Sequence, residues 1–190
     1  MAKLMNTTVD ETEVIESCRR GKQWAQSYLY QMHAPKMMGV CLRYVSDPET
    51  ARDIVHDGFI KVFTKINTYT GEGSLEGWIR RIFVTTALEY LRKKDTLRLS
   101  ESIETINIVS NENEVGIIAK LGAQDLLRCV QSLSSGYRTI FNMHAIEGYS
   151  HSEISEILGI SEATSRSQFM RARNILKEKA LSLGYRYETV

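Results

Sequence analysis

Proline is nearly missing from this chain: Pro35 and Pro48 are the two examples in 190 residues. Alternating runs of β-branched residues are also scarce, so the sequence predicts an all-α protein with few forced breaks. Cysteine is sparse. Cys18, Cys41 and Cys129 lie far apart in apolar helical contexts, with no CxxC pair and no Cys/His cluster. That spacing argues against a zinc site or a disulfide framework and for buried free thiols. No apolar run approaches membrane length, and Met1 to Glu13 is polar without the apolar stretch of a signal peptide, so a cytoplasmic protein is expected. A Walker-type glycine loop, a clustered acid pair and a nucleophile beside a base are all lacking. The sequence therefore predicts no catalytic residue, no metal site and no cofactor.

Charge of one sign is lacking too, with a formal net charge of +1. Bulk attraction to a polyanion does not follow from that value, but the distribution is uneven. Trp78 to Arg98 holds six basic residues (Arg80, Arg81, Arg92, Lys93, Lys94, Arg98) and two acidic ones. Glu162 to Lys179 holds five basic and two acidic, while Leu99 to Asp125, between them, holds one basic and five acidic. Two positive patches flanking a negative segment suggest two nucleic-acid contacts on one chain. Chance variation in surface charge gives similar counts, so the motifs must decide.

Helical periodicity organises most of the sequence. A first helix is expected from about Glu13 to Arg20, and a longer one from Lys22 to Val45. The apolar side of the longer helix reads as Trp24, Tyr28, Leu29, Met32, Met38, Cys41, Leu42 and Val45, with Pro35 kinking or dividing it. Asp47-Pro48-Glu49 is a helix start: an Asp cap, proline at the first helical position and an acid in the first turn. That helix should run to about Ile66 and bury Ala51, Ile54, Val55, Phe59, Val62 and Phe63. Asn67 to Ser74, bearing Gly71 and Gly73, reads as a loop, and Ser74 as the cap of a helix from Leu75 to Lys94. The inner stripe of that helix is expected to be Trp78, Ile79, Ile82, Phe83, Ala87, Tyr90 and Leu91. From Asp95 to about Val115 periodicity fades into Asn, Glu, Ser and Thr, the composition of a flexible linker. Some 20 residues at about 3.3 Å each span about 65 Å, more than the roughly 34 Å of one duplex turn. Helical pattern resumes from Ile117 to Leu133 and again from Tyr137 to Glu147.

Ser150 to Lys177 carries the most specific pattern. Ser150-His151-Ser152-Glu153 is a capping box, in which the hydroxyl and the carboxylate each satisfy an amide at a helix start. Ile154, Ile157 and Leu158 share a face, Gly159 supplies the left-handed turn, and Ser161 caps a second helix from Glu162 to about Lys177. Phe169, Ala172, Ile175 and Leu176 form the inner face of that helix. Thr164, Ser165, Arg166, Ser167, Gln168, Arg171, Arg173 and Lys177 surround it on the open side. This is the layout of a DNA-reading helix-turn-helix, in which arginine suits guanine edges, glutamine suits adenine and lysine anchors phosphate. The plainer alternative is an amphipathic helical hairpin with a solvated basic face.

Asp47-Pro48-Glu49-Thr50-Ala51-Arg52-Asp53-Ile54-Val55-His56-Asp57-Gly58-Phe59, the glycine-bearing loop, and Ser74-Leu75-Glu76-Gly77-Trp78-Ile79-Arg80-Arg81-Ile82 together resemble conserved region two of the bacterial extracytoplasmic-function sigma factors. Tyr137 to Leu176, with Gly148-Tyr149-Ser150, Glu153-Ile154, Leu158-Gly159 and Arg171-Ala172-Arg173, resembles region four of the same family. The resemblance implies two helical domains, region two over residues 1–95 and region four over 117–190, joined by a linker over 96–116. It implies core RNA polymerase as a partner, through the clamp of its largest subunit and the flap of its second-largest, together with promoter DNA. An anti-sigma factor, often membrane-anchored in this family, is the third implied partner.

Carried over position by position, the resemblance makes Asp53, His56, Asp57, Phe59 and Ile60 the polymerase-docking residues. Asn67, Tyr69, Arg80, Arg81, Thr85 and Arg92 become the −10 DNA contacts, and Trp78, on the apolar stripe, is expected to be core packing. Thr85 stands where an amide side chain is more usual, and Glu89 where Asp is frequent. Thr164, Ser165, Arg166, Gln168, Arg171, Arg173 and Lys177 become the −35 contacts, with Gln168 where many relatives carry a basic residue. Two other functions compete with this reading. One is an operator-binding helix-turn-helix regulator whose N-terminal half senses or dimerises; the other is a helical protein-interaction module.

Overall fold

The computed structural model describes residues 10–94 and 122–185; the expected linker, residues 96–116, lies outside them. The described segments are helical. The helices are α1 (Glu11–Arg19), α2 (Gln23–Tyr44), α3 (Pro48–Lys65), α4 (Leu75–Lys93), α5 (Ala123–Gln131), α6 (Ser135–Phe141), α7 (His151–Leu158) and α8 (Glu162–Ser182). A single 3₁₀ turn, Ile66–Thr68, follows α3, and a π-helical turn, Asn142–Ile146, extends α6. Among the described residues no helix is long and apolar enough to cross a membrane. The chain divides into two compact units. One draws on α1 to α4, up to Leu42 and over Asp47–Glu89; the other contains α5 to α8.

The first unit is set by how α3 starts and what it buries. The Asp47 carboxylate accepts the Thr50 amide at 2.8 Å and the Thr50 hydroxyl at 2.6 Å, and Pro48 follows at the first helical position. Orphan amides at the helix start are thereby satisfied, and the phase of the helix is fixed from its first turn. Ala51, Ile54, Val55, Gly58, Phe59 and Val62 then face inward. Phe59 is the hub: its ring centroid lies 4.6 Å from Tyr30, 5.9 Å from Phe63 and 5.1 Å from Phe83, the last edge-on at 73°. Gly58 makes that contact with α4 possible, because a Cβ there would stand 2.5 to 2.9 Å from three ring carbons of Phe83.

Of the two outcomes expected at Pro35, division of α2 does not occur. The helix continues across Pro35. Pro35 and Gln31, whose carbonyl loses its partner, both face solvent, so water can hydrate the freed oxygen without dividing the helix. The apolar stripe is also rotated. Ala25, Leu29, Met37, Val40, Cys41 and Tyr44 are buried, whereas Trp24 and Met32 are 47% and 56% exposed. Small Ala25 marks the close-packed side, and the bulkier Trp24 does not. In α4 the buried residues are Leu75, Ile79, Phe83, Val84, Thr86, Ala87, Leu88 and Leu91. Trp78, Ile82 and Tyr90 lie half-buried at the edge of that stripe. All three cysteines are buried, and burial raises the thiol pKa of Cys18 and Cys129.

In the second unit, Cys129, Val130 and Leu133 from the α5 segment, Phe141 from α6, and Ala172 and Leu176 from α8 form the core. Leu126, Tyr137, Ile146, Phe169 and Ile175 pack at its edge. Tyr185 closes the far end, where its hydroxyl donates to Asp125 at 2.9 Å.

Gly58→Ala should be destabilising although alanine favours helices, because the new methyl group has no room beside Phe83. A loss of about 1–3 kcal/mol is expected, read as a lower thermal midpoint in circular dichroism; an unchanged or raised midpoint would refute the close-approach account.

Candidate functional site

Three surfaces carry the residues singled out from sequence. On α3, Asp53, His56 and Asp57 are exposed on one side, and Ile60 is 53% exposed beside them. Their spacing of three and four residues keeps them on one helical face, opposite the buried stripe. Phe59 does not join them. It is 3% exposed and sits at the centre of the aromatic cluster, so its contribution is to hold α3 in place. The exposed face of α3 is therefore acidic with an aliphatic edge.

The second surface lies where the chain passes from α3 to α4. Asn67 and Thr70 are exposed, as expected of a ligand-binding loop, but Tyr69 is 5% exposed. Its hydroxyl donates to the Gly73 carbonyl at 2.8 Å, its ring centroid lies 5.5 Å from Trp78, and its own carbonyl accepts from Arg19 at 2.5 Å. Tyr69 thus closes the loop instead of offering a stacking platform. A tyrosine between glycines fits either role on sequence alone, and only the Gly73 contact decides. Trp78 is half-buried; it also lines a shallow cleft of about 110 Å³ with Lys61, Lys65, Arg81, Thr85 and Glu89. Arg81 and Thr85 are exposed there, with the Thr85 hydroxyl donating back to the Arg81 carbonyl at 2.9 Å. Lys61 pairs with Glu89 at 2.5 Å across the cleft, so one of its cations is already neutralised. Arg80 is half-buried, and Arg92, in the last turn of α4, is exposed. Sequence reasoning passed over Lys61 and Lys65, whose signal was their phase on the side of α3 that faces α4.

The third surface is the α7–α8 pair. The capping box forms as expected: the Ser150 hydroxyl accepts the Glu153 amide at 3.2 Å, and the Glu153 carboxylate accepts the Ser150 amide at 2.8 Å. Gly159 ends α7 at φ 69°, a left-handed conformation that residues with a Cβ rarely adopt. The Ser161 hydroxyl accepts the Thr164 amide at 3.0 Å and starts α8.

Which residues of α8 face outward differs from the expectation. Ser165 is fully buried and Gln168 is 9% exposed, both on the stripe that continues through Ala172, Leu176 and Ala180. They belong to the packing of α8 and cannot reach base edges. The Thr164 hydroxyl is engaged with Ser161 at 2.8 Å. Arg166 and Ser167 are exposed, and Arg166 is held by an ion pair with Glu162 one turn earlier. Arg171, Arg173 and Lys177 are half-buried, the Arg173 guanidinium lying over the Phe169 ring at 5.9 Å. The error has a physical origin. Small hydroxyl residues suit both a groove-facing surface and a tight helix crossing; the expected inner face holds at Ala172 and Leu176, and it extends toward the start of α8 to take in Gln168 and Ser165.

Two histidines that drew no attention in the sequence complete this surface. His144, in the π-helical turn, and His151, at the start of α7, stack with ring centroids 4.1 Å apart and planes 20° apart. Both meet Phe169 edge-on, at 4.5 and 5.7 Å. Their seven-residue separation across Gly148 was the only sequence signal.

Comparison with known proteins falls on the same two units. Residues 29–96 match the family Sigma-70 region 2, and residues 123–176 match Sigma-70, region 4. The ECF RNA polymerase sigma-E factor of Haemophilus influenzae is 27% identical over 92% of this chain and 97% of its own length. The protein of the same description from Escherichia coli is 25% identical over 94% and 98%. Among solved structures, the sigma factor RpoE of Bartonella quintana, in complex with the anti-sigma factor NepR, aligns with a TM-score of 0.50 at 22% identity. That alignment covers 80% of this chain and 94% of that one.

The assignment of Phe59 to the core and Ile60 to the surface is open to a stability measurement. Phe59→Ala should cost roughly 3–5 kcal/mol, whereas Ile60→Ala should leave the unfolding midpoint close to that of the parent chain. Comparable losses in the two variants would contradict the placement of α3.

Proposed function

Because this chain belongs to the sigma-70 family, within its extracytoplasmic-function group, we propose that it is an alternative sigma factor, one that binds core RNA polymerase and directs promoter-specific initiation. The observation that carries the reading is the ordered pair of family regions, residues 29–96 falling mainly on the first compact unit and residues 123–176 within the second. The first unit docks on the polymerase clamp through Asp53, His56, Asp57 and Ile60, an acidic and aliphatic face suited to a basic partner helix. Its loop and α4, through Asn67, Arg80, Arg81, Thr85 and Arg92, meet the −10 element. The second unit reads the −35 element from the outward side of α8, with Arg166 and Arg171 toward bases and Arg173 and Lys177 toward phosphates, while also meeting the polymerase flap.

No chemistry of its own is assigned to the chain, which acts by placement. Opening the −10 duplex costs a few kcal/mol per disrupted step, offset by contacts to the captured strand. A cleft lined by Trp78 together with Lys65, Arg81 and Thr85 suits an unstacked strand, because an aromatic ring gives a base apolar surface to pack on while the cations meet the backbone. The site of action is the cytoplasm, where the polymerase works. An anti-sigma factor that covers the polymerase-binding surface is the expected regulator, in keeping with the complex in which the Bartonella relative was solved.

Reconstituted holoenzyme separates the roles. Replacing Asp53 and Asp57 together by Lys should abolish co-purification with core polymerase while the helical spectrum is kept; survival of the association would place docking elsewhere. Arg166→Ala should weaken −35-dependent initiation roughly 5- to 100-fold, the range of one arginine–guanine contact, with polymerase association intact. If the chain instead binds duplex operator tightly without polymerase and directs no initiation, an operator-binding regulator replaces the sigma factor.

A further inference from the structure

The stacked imidazoles of His144 and His151 are not needed to make a helix-turn-helix, yet they occupy its pivot. His144 stands in the π-helical turn, and its Nδ1 lies 2.8 Å from the Tyr149 carbonyl. A carbonyl can only accept, so Nδ1 of His144 carries the hydrogen. His151 is the first residue of α7, and its Nδ1 lies 2.8 Å from the Ser165 hydroxyl of α8. Ser165 is fully buried, and the next residue, Arg166, is exposed. The His151–Ser165 hydrogen bond therefore ties the first helix of the motif to the recognition helix at the turn that presents Arg166. Phe169 closes the cluster from α8, with both imidazoles against its edge.

We propose that His151 is a positioning residue for −35 recognition: stacked on His144 and bonded to Ser165, it sets how α8 presents Arg166, and it does so only while its imidazole is neutral. This deepens the sigma-factor reading and rests on it. Protonation disturbs the pivot in three ways. A cation at the first position of α7 faces the positive end of that helix. Two stacked imidazoles at 4.1 Å cannot both be charged without strong repulsion. Finally, a protonated Nδ1 must donate to the Ser165 oxygen, so the Ser165 hydrogen has to turn away from the imidazole and find another acceptor within a buried site.

The charged groups facing His151 are His144 from the π-helical turn and Arg166 and Glu162 from α8, with Arg173 farther along on the Phe169 ring. Glu162 favours the cation, but it is already paired with Arg166. Burial, then His144, then Arg166 hold the His151 pKa below the ordinary histidine value of 6.5. The unfolded chain thus takes up the proton more readily than the folded one. The contribution of His151 to stability is complete above 6.5 and declines as pH falls below it toward the lowered folded value.

The test uses full-length chain, alone and in reconstituted holoenzyme with a promoter obtained by in-vitro selection. Imidazole ring-proton resonances of the free chain, assigned through His144→Gln and His151→Gln, should show His151 titrating below the ordinary value, and rising when His144 is replaced by Gln. The ratio of holoenzyme binding to intact over scrambled −35 DNA should fall roughly tenfold between about pH 7.5 and about pH 5.5. His151→Gln keeps an amide for Ser165 and cannot titrate, so that ratio should become flat across the same range. His151 titrating at the ordinary value, or an acid loss unchanged in His151→Gln, would overturn the proposal while leaving the sigma-factor reading intact. Holoenzyme without promoter specificity even at neutral pH would overturn that reading instead, and the imidazole titrations would then decide the pivot by themselves.

Discussion

An α-helix advances about 100° per residue, so neighbouring side chains fall to different uses, one packed in the core and the next turned outward. In a protein of short helices that must both fold and meet other molecules, this allocation constrains everything else. α3 shows it most clearly. Phe59 points into the aromatic cluster, and its neighbour Ile60 points out. Both are large and apolar, and the difference between holding the fold and facing outward is one step along the helix. α8 repeats the division, with Ser165 sealing the contact to α7 and Arg166 facing outward.

Around that allocation the first unit is built on close approach. Gly58 admits the Phe83 ring where a side chain would stand, so α3 and α4 come near enough for the cleft between them to be lined from both sides. The loop joining the two helices is drawn in by Tyr69 and pinned from α1 by Arg19. What remains exposed on it, Asn67 and Thr70, is thereby presented from a fixed base. The ordering cost of that surface is thus largely met by folding.

The second unit places its rigidity in caps and rings. The capping box at Ser150, the left-handed turn at Gly159 and the Ser161 cap fix where α7 and α8 begin and end. How the two helices sit on each other is then decided by Phe169, His144 and His151. A ring cluster of this kind is stiff at fixed protonation, yet it includes His151, whose pKa burial and its neighbours hold below the ordinary histidine value. Static presentation of Arg166 and sensitivity to acid therefore have the same source.

Sequence alone determined the elements with a local cause. The Asp47-Pro48 start, the Ser150–Glu153 box, the Gly159 turn and the scarcity of proline each act within a few residues, and all appear where sequence reading put them. The family motifs likewise fixed the order of the two helical units. The tertiary structure decided what depends on rotation about a helix axis. It put Tyr69, Ser165 and Gln168 inside, put Trp24 and Met32 outside, and brought His144 onto His151. The physical reason is that caps and turns are satisfied by neighbours in the chain. Which face is buried depends on the bulk and approach of other helices, and tyrosine, serine and glutamine suit either side of that boundary.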